Sequence, residues 1–369
     1  MNSIDRSTDT TATEVRVPLQ ALKGRGTARF FPHRFERDSR ESFDDGWDQE
    51  AEEGAPLRTE VIWENARSII AGNDSPDIHF GKSINPYRGC EHGCIYCYAR
   101  PTHSYLNMSP GLDFETKIIA KRNTVDLLRS EMGRRGYVPE LIAIGTATDC
   151  YQPVERELRL TRGVIELMSE TNHPFALVTK SSGVERDLDL VAPMAARGLA
   201  AVYVTITTLD ADLARKLEPR AAAPHRRLRV LRTLAEHGIP CGVSLAPQIP
   251  FLNDDMEQVL EAAWDAGARE AFYHVIRLPW EVAPLFREWL QTHYPQRADR
   301  VMHRIQEMRG GKDYDSDFAT RMKGSGAWAD LLGQRFRKAA ARLGFNQKKV
   351  DFPTAEFRPP GAKGQGSLF

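Results

Sequence analysis

Cysteine is scarce in this chain, with five in 369 residues, too few for a disulfide framework at that length. Long apolar runs are missing too. Nowhere do about 18 apolar residues follow one another, and the opening MNSIDRSTDTTATEVRVPLQ has no basic stretch leading into an apolar one. No membrane partner and a cytoplasmic location are therefore expected. Neither charge sign is in excess, since 50 Lys and Arg balance 50 Asp and Glu, so no global field steers the chain toward a polyanion. No sequence repeats with a fixed period. RGGKDYDS and MKGSGAW lack the GxxxxGK(S/T) order, which excludes a phosphate loop there.

What is present has a rhythm. Residues 1–60 are polar and read as a disordered extension: RDSRESFDDGWDQEAEEG packs poorly, while RFFPHRFE carries aromatic anchors able to dock on a folded domain. Over 61–295, short β-rich runs alternate with amphipathic helical stretches. The runs are SINPYRG (83–89), LIAIGTAT (141–148), FALVTK (175–180), AAVYVTITT (200–208), CGVSLAP (241–247) and AFYHVIRLP (271–279). Their near-continuous apolar character predicts parallel strands buried on both faces. VERELRLTRGVIELMSE and HRRLRVLRTLAEHG predict helices between them, the second stopping at Gly238. Six β/α units predict an α/β fold, either an open doubly wound sheet or a partial (β/α)6 TIM-type barrel, with residues 296–369 as a helical region and tail.

Both architectures put chemistry at the carboxyl ends of the strands. That rule selects Thr148, Asp149 and Cys150, then Thr179, Lys180 and Ser181, then Thr205 to Thr208, Pro247 and Gln248, and Arg277. The loop after the first strand carries NPYRGCEHGCIYCYARPTH, with Cys90, Cys94 and Cys97 inside eight positions. Clustered thiols in a reducing compartment read as metal ligands. Zinc would need His92 or His103 as a fourth ligand, and a ferredoxin-like carrier would need Cys150 or Cys241. A [4Fe-4S] cluster with one iron open to a ligand from outside the protein accounts for three cysteines without a fourth.

CxxxCxxC with Tyr96 before the last cysteine resembles the signature of the radical S-adenosylmethionine (SAM) enzymes, which places it on the first loop of a partial barrel. TDCYQPVE and VTKSSGVERDLDL resemble in particular a bacterial branch related to spore photoproduct lyase. The resemblance implies that Cys90, Cys94 and Cys97 hold a [4Fe-4S] cluster whose open iron binds S-adenosyl-L-methionine. It implies reductive cleavage to a 5′-deoxyadenosyl radical, and an external electron donor such as a flavodoxin or ferredoxin. Tyr96 would then pack beside the adenine and Lys180 approach the SAM carboxylate, unless Lys180 instead pairs with Asp149 or Glu218. Where many members carry GGE this chain has GTATD, which gives the amino-group contact to Thr146 through Asp149. Thr205 joins the cofactor contacts by its rim position, and Glu218 and Arg220, either side of Pro219, suit ribose or carboxylate contacts or a plain ion pair.

The lyase's hydrogen relay pairs a cysteine near the second strand with a tyrosine after the third cluster cysteine. Tyr98 matches the tyrosine; Cys150 is displaced by several residues and reads as a donor or as core filler, while Cys241 reads as filler. Residues 301–350 hold 11 Lys or Arg against 5 Asp or Glu, which makes a nucleic acid a candidate partner. The same residues suit the solvated face of helices closing the barrel. The rival reading of the whole chain is a non-catalytic, metal-stabilised nucleic-acid-binding module.

Overall fold

The computed structural model describes residues 22, 24–27, 29–36 and 58–361. The strands in chain order are β1 (Glu60–Glu64), β2 (Ile70–Gly72), β3 (Lys82–Ile84), β4 (Tyr87–Arg88), β5 (Lys117–Lys121), β6 (Ile142–Ile144), β7 (Phe175–Thr179), β8 (Ala200–Thr205), β9 (Cys241–Gln248) and β10 (Glu270–Val275). One sheet has the order β10-β9-β8-β7-β6-β3-β2. Its six strands from β3 to β10 pair in parallel, each beside its successor, and β2 closes one edge antiparallel to β3. This is the α/β partial barrel expected, and the sheet stays open, since no pairing joins β10 to β2 among the described residues.

The strands form where they do because both faces are covered. Leu177, Val202, Val204, Val243 and Leu245 are fully buried and pack in one core with the helices Leu160–Thr171, Pro224–Glu236 and Met256–Asp265. Pro224 starts its helix, where a missing N–H costs nothing, and Gly238 follows the end at φ +68°.

Three features depart from the sequence pattern. A second sheet, β1-β5-β4, flanks the cysteine loop, and its first strand opens at Glu60, where a polar extension was expected to be ending. The helical stretch from Val154 breaks into Glu155–Leu158 and Leu160–Thr171, with Arg159 left-handed at φ +52°. The cause is Glu155, whose buried carboxylate accepts from Thr161 N (3.1 Å) and Arg162 N (3.3 Å) and so serves the first turn of the second helix. Lastly, RFFPHRFE docks: Phe31 N donates to Ser109 Oγ at 2.7 Å, and Arg34 pairs with Glu281 at 2.8 Å under the Trp280 ring. The acidic run 37–54 and most of the polar extension lie outside the described residues.

The basic carboxyl-terminal region packs on the barrel. Helix Gly326–Leu343 packs on Met256–Asp265, with Arg335 paired to Glu257 at 2.7 Å and Arg342 to Glu261. No helix among the described residues is long and apolar enough to cross a membrane.

Candidate functional site

The cysteine loop leaves β4 and returns at β5. Cys90 and Cys94 are buried and Cys97 is half-buried. The loop is held from beneath by a residue that the pattern did not single out. Arg100 is wholly buried and donates to the carbonyls of Cys94 (2.9 Å), Gly93 (3.0 Å), Pro110 (3.0 Å) and Gly111 (3.1 Å), while its charge meets Glu115 at 2.6 Å. Glu115 also accepts from Gly26 N at 3.0 Å and Thr27 Oγ1 at 3.2 Å. The amino-terminal segment thus lies directly on the loop, and a Cβ on Gly26 would come within 1.9 Å of the Gly93 carbonyl oxygen.

The far wall is the segment after β8. Ile95 N donates to Leu217 O at 3.0 Å and Arg220 N to His92 O at 3.3 Å. Between them the Tyr96 hydroxyl donates to Glu218, which also accepts from Thr207 Oγ1 at 2.6 Å and pairs with buried Arg227. Burial alone would raise the Glu218 carboxyl, but the charges of Arg227 and Lys180 outweigh it and hold it below the ordinary value. Arg227 also donates to the carbonyl of Thr205 at 2.9 Å, so Thr205 at the end of β8 belongs to the same buried network. Arg220 pairs with Glu91 at 3.1 Å. Glu218 and Arg220 therefore each have protein partners, and those partners tie the cysteine loop to the barrel.

Asp149 and Lys180 meet at the rim. Asp149 accepts from Tyr151 N (2.9 Å), Thr179 Oγ1 (2.7 Å) and Lys180 N (2.7 Å), and His92 Nδ1 lies 3.3 Å away. Burial opposes its ionisation, yet the His92 charge and these bonds depress its carboxyl well below the usual range. The carboxylate thus orients the Lys180 backbone, and His92 is committed to it. The Lys180 ammonium lies 5.8 Å from the centre of the Tyr96 ring. Burial works to lower its pKa, but Cys94 and Glu218 nearby hold it above the ordinary lysine value.

The two relay candidates part company. Tyr98 exposes its ring at the mouth; its hydroxyl donates to the Thr146 carbonyl, and the Arg277 guanidinium lies 4.3 Å over the ring. Cys150 is fully enclosed, with its thiol turned to the Val178 carbonyl at 3.7 Å and within the main core. Cys241 likewise sits in the core, donating weakly to Leu231 and Gly267 carbonyls.

Chemically, the loop offers three soft thiols that feel one another's charge: burial, then Asp149, Cys94 and Cys97, raises the Cys90 thiol, and burial pushes Cys94 up to about 12. Buried thiols of this kind ionise when a cation replaces the proton. Among the described residues no three His, Cys, Asp or Glu side chains close on a single-ion point. A [4Fe-4S] cluster takes one thiolate per iron and requires no such point, so the donor set fits it.

Comparison with known proteins agrees with this chemistry. The radical SAM superfamily model matches residues 84–263. An uncharacterised protein of Mycobacterium tuberculosis is 34% identical over 244 residues, covering 65% of this chain and 71% of its own length. One from Methanocaldococcus jannaschii is 26% identical over 247 residues, covering 67% and 88%. Among solved structures, spore photoproduct lyase complexed with dinucleoside spore photoproduct matches with a TM-score of 0.52 at 16% identity, covering 77% of this chain and 80% of that one, a likeness of fold. Three thiols on the first loop of an open parallel barrel, the family model over residues 84–263 and a relative 34% identical lead to one conclusion: the chain belongs to the radical SAM superfamily.

Proposed function

We propose that this radical SAM enzyme carries a [4Fe-4S] cluster on Cys90, Cys94 and Cys97 and binds S-adenosyl-L-methionine at the cluster's open iron. The observation that supports it is the convergence of three thiols, the Tyr96 ring and the Lys180 ammonium on one rim, with His92 and Cys150 engaged elsewhere. Bound there, the cluster supplies the electron, received from a flavodoxin- or ferredoxin-like donor, that cleaves SAM to methionine and a 5′-deoxyadenosyl radical able to take hydrogen from a substrate.

Each residue has a separate task. Lys180, charged and half-buried, neutralises the SAM carboxylate; Tyr96, fixed by Glu218, gives the adenine a flat wall; Thr205 and Arg220 complete that wall. Asp149 sets the Lys180 backbone and takes part in amino-group recognition through the GTATD turn. Tyr98 faces the substrate side. The enclosure of Cys150 supports the filler reading over hydrogen donation. Arg335 and Arg342 of the carboxyl-terminal helix are paired with Glu257 and Glu261 of the barrel, which weighs against a non-catalytic nucleic-acid module on that face.

Anaerobic reconstitution followed by reduction tests the proposal. Four irons and four sulfides per chain, as the cluster type requires, with 5′-deoxyadenosine formed from SAM, are expected. In the Cys94→Ala protein both should collapse while circular dichroism stays native. One zinc without acid-labile sulfide, or 5′-deoxyadenosine from Cys94→Ala, would overturn it.

A further inference from the structure

Two guanidinium groups at the carboxyl end of β10 have no carboxylate partner. Arg309 is buried, at 2% exposure, and donates only to carbonyls, Thr320 O at 2.9 Å and Ile276 O at 2.7 Å; its buried Nε has no partner at all. Its bond to Ile276 sets it one residue from Arg277. Arg277 forms no hydrogen bond or ion pair with any described residue and rests on the Tyr98 ring. The acids nearby are engaged: Asp77 is held bidentately by Arg321 at 2.6 Å, and Asp315 accepts from Thr320 Oγ1 at 2.7 Å and Asp317 N at 3.1 Å.

Burying a cation without a counter-charge is strongly unfavourable, and a second cation beside it adds repulsion. The molecule shows that stress. Burial, then Arg277, pulls the Arg309 guanidinium down to about 10, and burial, then Arg277, takes His274 on the same strand down to about 4. An anion at this point would relieve both. The position is also the one that matters, because Tyr98 directly follows the third thiol of the cysteine loop and carries Arg277 on its exposed ring.

We propose that Arg277, seated on Tyr98 and backed by the unpaired Arg309, binds a phosphate group of the substrate. A guanidinium presents a planar fork of N–H donors that matches a phosphate edge, and stacking on tyrosine fixes the fork's plane. Two neighbouring cations favour a phosphate, with its several charged oxygens, over a single carboxylate. The proposal rests on the radical reading only in calling the bound group part of a substrate; anion binding itself does not require it.

The test uses the full-length reconstituted protein and isothermal titration with inorganic phosphate, a short single-stranded oligodeoxynucleotide and acetate. Saturable binding of a phosphate-bearing probe is expected, weakened about tenfold or more in Arg277→Gln, as loss of a charge-assisted bond implies, and only partly restored in Arg277→Lys. Tighter binding of inorganic phosphate would point to a small phosphorylated substrate, and tighter binding of the oligonucleotide to a phosphodiester backbone. Equal affinity in wild type and Arg277→Gln, or acetate binding as tightly as phosphate, overturns the proposal. Failure of SAM cleavage with phosphate binding intact would instead strike the radical reading alone. If Arg277→Gln does not fold, Arg277→Lys carries the comparison, and unchanged phosphate affinity there overturns the proposal as well.

Discussion

Arg100 and Glu115 meet at 2.6 Å with neither side chain reaching solvent, and the same guanidinium holds the carbonyls of Gly93 and Cys94. One buried ion pair therefore shapes the backbone between two of the three thiols. Replacing Glu115 by Gln leaves a buried cation short of its counter-charge, a change that costs about 3–5 kcal/mol when such pairs are broken. Urea denaturation should show that loss, and reconstituted Glu115→Gln should retain less iron than wild type. Unchanged stability would mean that the pair is dispensable.

Lys180 gives a contrasting expectation. Its Nζ faces the Tyr96 ring rather than a dedicated carboxylate, since Glu218 already has Arg227. Lys180→Ala should weaken SAM binding about tenfold through loss of a charge-assisted contact and cost less than about 1 kcal/mol in stability. Equilibrium dialysis against SAM, paired with a melt, separates the two; equal SAM affinity would return Lys180 to a structural role.

Cys150 and Gly145 share one tight spot. Gly145 is at φ +89°, and a Cβ there would lie 2.6 Å from the Val178 carbonyl oxygen and 2.9 Å from the Cys150 sulfur. Gly145→Ala should cost more than about 2 kcal/mol, from strain and overpacking together. Cys150→Ala should cost about 1 kcal/mol as a small cavity and leave 5′-deoxyadenosine formation in place. A product that changes in Cys150→Ala, once the substrate is in hand, would restore its claim as a hydrogen donor.

Acid sensitivity has a source away from the cysteines. His173 is fully buried, contacts Tyr137 Oη at 2.8 Å, and is pushed by burial down to about 4. Unfolded, it would titrate near 6.5. Between those values the unfolded chain binds the extra proton, so the contribution from His173 is full above about pH 6.5 and is lost as pH falls toward 4. Melting temperature should therefore drop across that window, and less steeply in His173→Gln. Parallel curves for the two proteins would remove His173 from the account.

The six central strands were legible because Phe175–Thr179, Ala200–Thr205 and their neighbours are apolar throughout, which only a sheet covered on both faces demands. The rim rule likewise selected Lys180 and Asp149, which the fold brings together at the strand ends. β1 and β5 escaped because EVIWE and KIIAK are short and end in charges, and their pairing depends on segments more than fifty positions apart. Arg100, Glu115, Arg227 and Glu155 were passed over for a related reason. A charged residue reads as surface until its partner is known, and here the partners lie on other elements. The docked segment around Arg34 was visible in its aromatics, but its target, Glu281, was not.

The bonds from Ile95 to Leu217, Tyr96 to Glu218 and His92 to Arg220 also impose an order of events during synthesis. When the thiols leave the ribosome, the wall that orders their loop has not yet been translated. A chain growing at roughly 5–20 residues per second needs roughly 7 to 26 seconds more to reach Arg227. Until then the loop of the three cysteines lacks those bonds to the far wall. On the proposed reading, a cluster meets an ordered cysteine loop only after the far half of the barrel has been made.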